Sequence, residues 1–149
     1  MIIYVDGDSC PVIPIIKDIC NKRDINYMVI SDYNHNLKVP EENRFIVDCE
    51  KDEADLYIAN RIESGDFLIT NDMGLASMVL GKKVTVLNFN GDSVNLNNID
   101  VFLFQRHVAS RERKNNIYNS KFKKRKKEDD ENFRASLLEI IDEKNNDTN

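Results

Sequence analysis

Aspartates recur in this chain where apolar runs end. Tyr4-Val5-Asp6-Gly7-Asp8-Ser9-Cys10-Pro11 sets Asp6 and Asp8 directly after one such run, and Leu68-Ile69-Thr70-Asn71-Asp72 does the same for Asp72. A third stretch, Asp48-Cys49-Glu50-Lys51-Asp52-Glu53-Ala54-Asp55, leads into a helical pattern. Three apart, Asp52 and Asp55 share one face of that helix's first turn. Carboxylates gathered from several segments are the ligand type of Mg²⁺ or Mn²⁺, which bind a few hard oxygens plus water and substrate phosphate. Such an ion polarises a phosphoryl oxygen and yields hydroxide from bound water. Without a cation, neighbouring carboxylates repel and hold protons more tightly.

Taken singly, Asp8, Asp52 and Asp72 are each better explained as helix caps, because acids in a first turn are stabilised by the macrodipole. Asp6 resists that explanation, since it closes an apolar strand. The joint placement favours a metal site built from Asp6, Asp8, Asp55 and Asp72, with Asp6 and Asp72 as principal ligands. Ser9 reads first as a cap for the next helix, and Cys10 first as a small buried residue. A helix N-terminus can also lower a thiol pKa or hold a phosphate. Lys38 and Arg44 read as solvated charge with a lesser option of phosphate contact.

Cations are concentrated elsewhere. Residues 1–105 hold 17 acids and 9 bases, residues 106–127 hold 10 bases and one acid, and residues 128–149 hold 8 acids and 2 bases. A basic strip beside an acidic body permits nucleic-acid binding that a uniformly acidic surface would oppose. Its densest part contains Lys121, Lys123, Lys124, Arg125, Lys126 and Lys127 as candidate phosphate contacts, with Phe122 able to stack a base. A solvated linker neutralised by the following acids explains the strip about as well.

To meet at one site, these residues need a scaffold that brings separate segments to one edge. Apolar runs at Ile2–Val5, Tyr27–Ile30, Arg44–Val47, Phe67–Ile69 and Val84–Leu87 predict five strands. Helical spacing predicts helices over Pro11–Lys22, Asp52–Ser64 and Gly74–Leu80, with Pro14 tolerated in the first turn and Gly65 ending the second. Alternation of this kind gives an α/β, three-layer, Rossmann-like domain with a mostly parallel five-stranded sheet, whose sites form outside the carboxyl ends of the strands. Beyond a tight turn at Asn90-Gly91-Asp92, two C-terminal helices are expected at about 97–113 and 129–143, and a disordered tail at 145–149. One domain, residues 1–144, accommodates them all.

Composition narrows the classes further. No apolar run approaches the roughly 18 residues of a membrane span, and Met-Ile-Ile-Tyr-Val-Asp reads as a first strand, so a cytoplasmic protein without membrane contact is expected. Three cysteines (Cys10, Cys20, Cys49) and two histidines (His35, His107) follow no zinc or disulfide spacing. Oligomeric state is not encoded in any of these patterns.

The blocks Val5-Asp6-Gly7-Asp8-Ser9-Cys10-Pro11, Asp52-Glu53-Ala54-Asp55 with Ile58, and Gly65-Asp66-Phe67-Leu68-Ile69-Thr70-Asn71-Asp72 with Gly74-Leu75-Ala76 resemble the YaiI/YqxD family of largely uncharacterised bacterial proteins. The resemblance covers about residues 1–90. It implies a PIN-like or NYN-like domain, a grouping that includes metal-dependent ribonucleases, with Asp6, Asp8, Asp55 and Asp72 at the family's acidic positions. Where relatives carry a paired glycine and a Gly-Pro, Lys114–Lys121 has no glycine.

Together these features point to a Mg²⁺- or Mn²⁺-dependent phosphodiesterase acting on RNA. One alternative is a haloacid-dehalogenase-like phosphatase, with Asp6 and Asp8 as nucleophile and acid and Leu68-Ile69-Thr70 as second motif; no clear lysine or late Asp-Asp pair supports it. Another is a nucleic-acid-binding module without catalysis.

Overall fold

In the computed structural model the described residues are 1–32, 38–47, 52–114 and 124–148. Strands β1 (Ile2–Asp6), β2 (Asn26–Asp32), β3 (Arg44–Val47), β4 (Phe67–Ile69), β5 (Thr85–Leu87) and β6 (Ser93–Val94) form one sheet in the order β3-β2-β1-β4-β5-β6. All neighbours are parallel except β5 and β6. The chain first builds outward from β1 to β3, then returns to lay β4 on the other side of β1. The order therefore reverses between β1 and β4, and their carboxyl ends flank the crevice where doubly wound sheets place ligands.

Side-chain alternation along the strands feeds two cores. Ile3, Val5, Val29, Phe67, Ile69 and Leu87 face α1 (Ile13–Arg23) and α5 (Lys127–Asp147), meeting Ile16, Ile19, Phe133, Leu137 and Ile141. Tyr4, Ile30, Leu68 and Val86 face the other way, against α2 (Glu53–Arg61), α3 (Met73–Val79) and the start of α4 (Ile99–Lys114). Both faces of the sheet are buried, as parallel strands require. Burial of all of Phe67, Leu68 and Ile69 explains why β4 is continuously apolar.

Several boundaries differ from the sequence reading for identifiable reasons. Helix α1 starts at Ile13 with Pro14 in its first turn, so Pro11 and Ser9 lie outside it. Helix α2 stops at Arg61 because Ile62 turns extended and buries its side chain; Gly65, at φ +92°, instead shapes the turn into β4. A sixth strand joins the expected five: after the turn at Gly91 (φ +87°), Ser93–Val94 pairs back onto β5. Helix α5 runs to Asp147, so residues 145–147 of the expected disordered tail are helical. Among the described residues no helix is long and apolar enough to cross a membrane.

Candidate active site

Asp6 closes β1, where Gly7 donates its N–H to Ile30 O at 2.8 Å and starts the turn away from the sheet. The Thr70 hydroxyl donates to Asp6 Oδ2 at 2.9 Å and accepts the Asp72 N–H at 2.9 Å. Two strand ends are thus joined through one buried threonine. Burial, first, and the charges of Asp55, Asp8 and Asp72 push the Asp6 carboxyl up to about 6, against the opposing pull of the Thr70 hydrogen bond. Burial and then Asp72, Asp52 and Asp8 raise Asp55 on α2 to about 6 as well, while Arg106 pulls it down. The aspartates from the three segments therefore share one field, in which their mutual repulsion outweighs the pull of Arg106 on Asp55.

Asp72 also caps a helix. Its Oδ1 accepts the N–H groups of Gly74 and Leu75 at 2.9 and 3.3 Å, and Arg106 Nη1 lies 3.3 Å away. The cap reading holds for this residue, and all of these contacts use Oδ1 and leave Oδ2 out. Asp52 occupies the N-cap position of α2 without a side-chain cap bond, at φ +65°. Asp8 Oδ1 accepts the Asp32 N–H at 3.4 Å, which leans the loop after β1 toward the end of β2. Among the described residues no three acidic, histidine or cysteine side chains are already arranged to hold a metal ion. The donor chemistry fits a hard divalent cation, whereas a closed shell needs the aspartates to draw together.

A cleft of ≈ 950 Å³ opens over this edge, and its lining includes Asp6, Asp8 and Asp72 facing Arg106, Arg113 and Arg125. Arg106 and Arg113 come from one face of α4. Arg125 is fixed by donating to Asp130 Oδ1 at 2.6 Å, to Phe89 O at 2.7 Å and to Asn90 Oδ1 at 3.4 Å. The loop it grips is itself tied to the site, because Asn71 Oδ1 accepts the Phe89 N–H at 2.8 Å.

The basic run thus divides. Arg125 lines the cleft, Lys124, Lys126 and Lys127 are exposed outside its lining, and Lys121, Phe122 and Lys123 lie outside the described residues, as does the glycine-free stretch from residue 115. Asp48, Cys49 and His35 also lie outside them. Arg44 sits at the amino end of β3, the edge opposite the site. Ser9, at φ +57°, lines the cleft from a left-handed turn rather than capping α1. Burial pushes the Cys10 thiol up to about 12, the reverse of a helix-activated thiolate.

Thr70 and Arg125 carry more than sequence reasoning gave them. Threonine is an ordinary strand former, so only its position before Asn71-Asp72 distinguishes Thr70. In its run of six cations Arg125 is the one arginine among five lysines, and that residue type is the only signal that separates it.

Fold and site together define an α/β protein with a mostly parallel sheet and an acid-floored, arginine-walled cleft at the strand-order reversal. The chain belongs to a family described as uncharacterised bacterial proteins, the YaiI/YqxD family, whose model matches residues 4–143. It is 38% identical over 141 residues to a UPF0178 protein of Clostridium kluyveri, covering 95% of this chain and 93% of that one. A UPF0178 protein of Natranaerobius thermophilus is 38% identical, covering 95% and 96%, and one of Bacillus velezensis is 36% identical, covering 93% and 84%. No solved structure matches the chain.

Proposed function

We propose that this protein is a PIN-like, Mg²⁺- or Mn²⁺-dependent phosphodiesterase that cleaves RNA in the cleft over β1 and β4. The carrying observation is that Asp6 and Asp55 are both raised to about 6 by burial and by one another's neighbours, beside Asp8 and Asp72. Two carboxylates held this way favour an added positive charge, and a divalent cation is the partner that the oxygens of the cluster fit. Asp6 and the unused oxygen of Asp72 would be its main ligands, with Asp8 and Asp55 completing the set or orienting water. When bound, the ion supplies Lewis-acid polarisation of phosphate and a water of lowered pKa.

The protein's own groups do the rest. Thr70 donates its hydroxyl to the Asp6 carboxylate and accepts the Asp72 N–H, which ties the two strand ends together. Arg106 and Arg113 present guanidinium donors across the cleft suited to bidentate contact with phosphate oxygens, and Arg125, whose Nε, Nη1 and Nη2 already donate to Asp130, Asn90 and Phe89, adds a fixed positive charge. Preorganisation is strongest at Arg125, whose fork is already anchored, so little side-chain entropy is lost on binding.

Thermal unfolding in EDTA, Mg²⁺ and Mn²⁺, alongside cleavage of single-stranded RNA, tests this reading. An ion at a hundred times its dissociation constant should stabilise the wild type by about 2.7 kcal/mol. Asp6→Asn should lose that gain and the cleavage while remaining folded. An Asp6→Asn protein that still cleaves ends the proposal. Salt-sensitive RNA binding by the wild type with no cleavage in either metal assigns the cleft to binding alone.

A further inference from the structure

Helix α4 meets the domain along one side only. Ile99 is buried, and Phe102, Arg106 and Arg113 face the cleft and α3. Half a turn round, Val101, Phe104 and Val108 are 57, 67 and 37% exposed. Their spacings of three and four residues, continued to Arg111, form a straight stripe along the helix, the seam pattern of a two-helix contact. An apolar stripe of this kind, bordered by charge, marks an interaction surface.

Its borders say what covers it. Asp100, His107 and Lys114, seven residues apart, run along one edge, and the C-terminal end of the helix is basic through Arg111, Arg113 and Lys114. We propose that α4 is the contact between two copies of this chain, paired antiparallel about a twofold axis at the level of residues 106 and 107. In that register Phe104 of each copy packs on Val108 of the other, and Val101 lies against the aliphatic stem of Arg111. Asp100 of each copy then faces Lys114 of the other, at both ends of the contact. A parallel pair would instead set the two basic ends side by side, where like charges repel. The stripe is complementary to itself in one orientation only, which is what an isologous interface requires.

Since α4 is already folded on the domain, pairing does not have to order it. Sixteen residues span about 24 Å, so the contact is at the small end of specific interfaces and the dimer is expected to be micromolar. The cleft lies on the far side of α4 and stays open in the pair. This inference therefore stands whether or not the protein cleaves RNA.

Sedimentation velocity of the full chain, from micromolar to about 1 mM, gives the dissociation constant. The wild type should shift to twice its mass, and Phe104→Asp, changed at an exposed position, should stay monomeric with an unaltered circular dichroism spectrum. Asp100→Lys and Lys114→Asp should each weaken the dimer by about tenfold, and the double exchange should restore it to within about threefold. Restoration is specific to antiparallel pairing. A wild type that remains monomeric throughout, a dimer insensitive to Phe104→Asp, or a double exchange without recovery overturns the proposal. So does a monomeric wild type whose RNA affinity falls with Phe104→Asp, which would give the stripe to nucleic acid.

Discussion

Asp6 and Asp55 bind protons more tightly in the folded chain than an aspartate does in the unfolded one, at about 6 against 3.8. Between those values the native state carries the extra protons, so stability falls as pH rises through the window and the contribution is lost above about 6. In EDTA, urea unfolding should therefore give a higher stability at pH 5 than at pH 7.5. Asp6→Asn removes the charge and keeps an oxygen for Thr70, so at pH 7.5 it should stabilise the metal-free protein by about 1–2 kcal/mol, discounted for residual solvation. That is a rise in Tm of roughly 2–8 °C for a chain of this size. Stabilisation by Mn²⁺ should run the opposite way with pH, growing as the aspartates ionise, because the ion competes with protons. A site kept at a cost to stability is what function explains and capping does not. An Asp6→Asn chain less stable than wild type in EDTA at pH 7.5 would return Asp6 to a structural role.

The elements that position these residues are legible in the sequence to different degrees. Strands β1 and β4 announce themselves by uninterrupted apolar runs, because both faces of a parallel sheet are buried, and the alternation of strands with helices gives the sheet its direction. Acids after β1 and β4 then fall on one edge, which is enough to single out Asp6 and Asp72. Strand β6 is not legible, since two residues, one of them Ser93, have no periodicity, and it exists only because Gly91 turns the chain back. That turn is set by packing against α5. A Cβ at Gly91 would lie 2.8 Å from Ser136 Oγ and 3.0 Å from the Phe133 Cα, at a φ of +87°. Gly91→Ala should therefore cost about 1–3 kcal/mol, measured by urea unfolding, through both strain and overpacking. Adding Ser136→Ala, which keeps the helix intact, should recover only the part due to Oγ, because the Ser136 Cβ, the Phe133 backbone and the positive φ remain. The extra length of α5 is equally hidden, since Asn145-Asn146-Asp147 has no apolar period.

At the scale of the whole molecule, three arginines of the basic strip, Arg106, Arg113 and Arg125, share one cleft with Asp6, Asp8 and Asp72 of the acidic body. Bare carboxylates on the floor repel a phosphate backbone while the arginines opposite attract it. A bound cation offsets much of that negative charge and offers phosphate an electropositive ligand position, so metal and RNA should bind cooperatively, each tightening the other by the same factor. The strip should also have two functions that a charge count merges. Lys124 and Lys127 are exposed and outside the cleft lining, so replacing both with alanine should leave the urea midpoint unchanged. It should also lower the slope of log K against log salt for single-stranded RNA by up to about 1.4, or roughly 0.7 for each phosphate no longer neutralised. Arg125→Ala should lower the slope too, but it also leaves Phe89 O and Asp130 without their donor. The fold should lose about 1–3 kcal/mol with it. Equal midpoints for the two variants would mean that Arg125 does not hold the loop. An unchanged slope in the double-lysine variant would mean that the outer half of the strip faces solvent, leaving the arginine wall of the cleft as the whole of the described phosphate-binding surface.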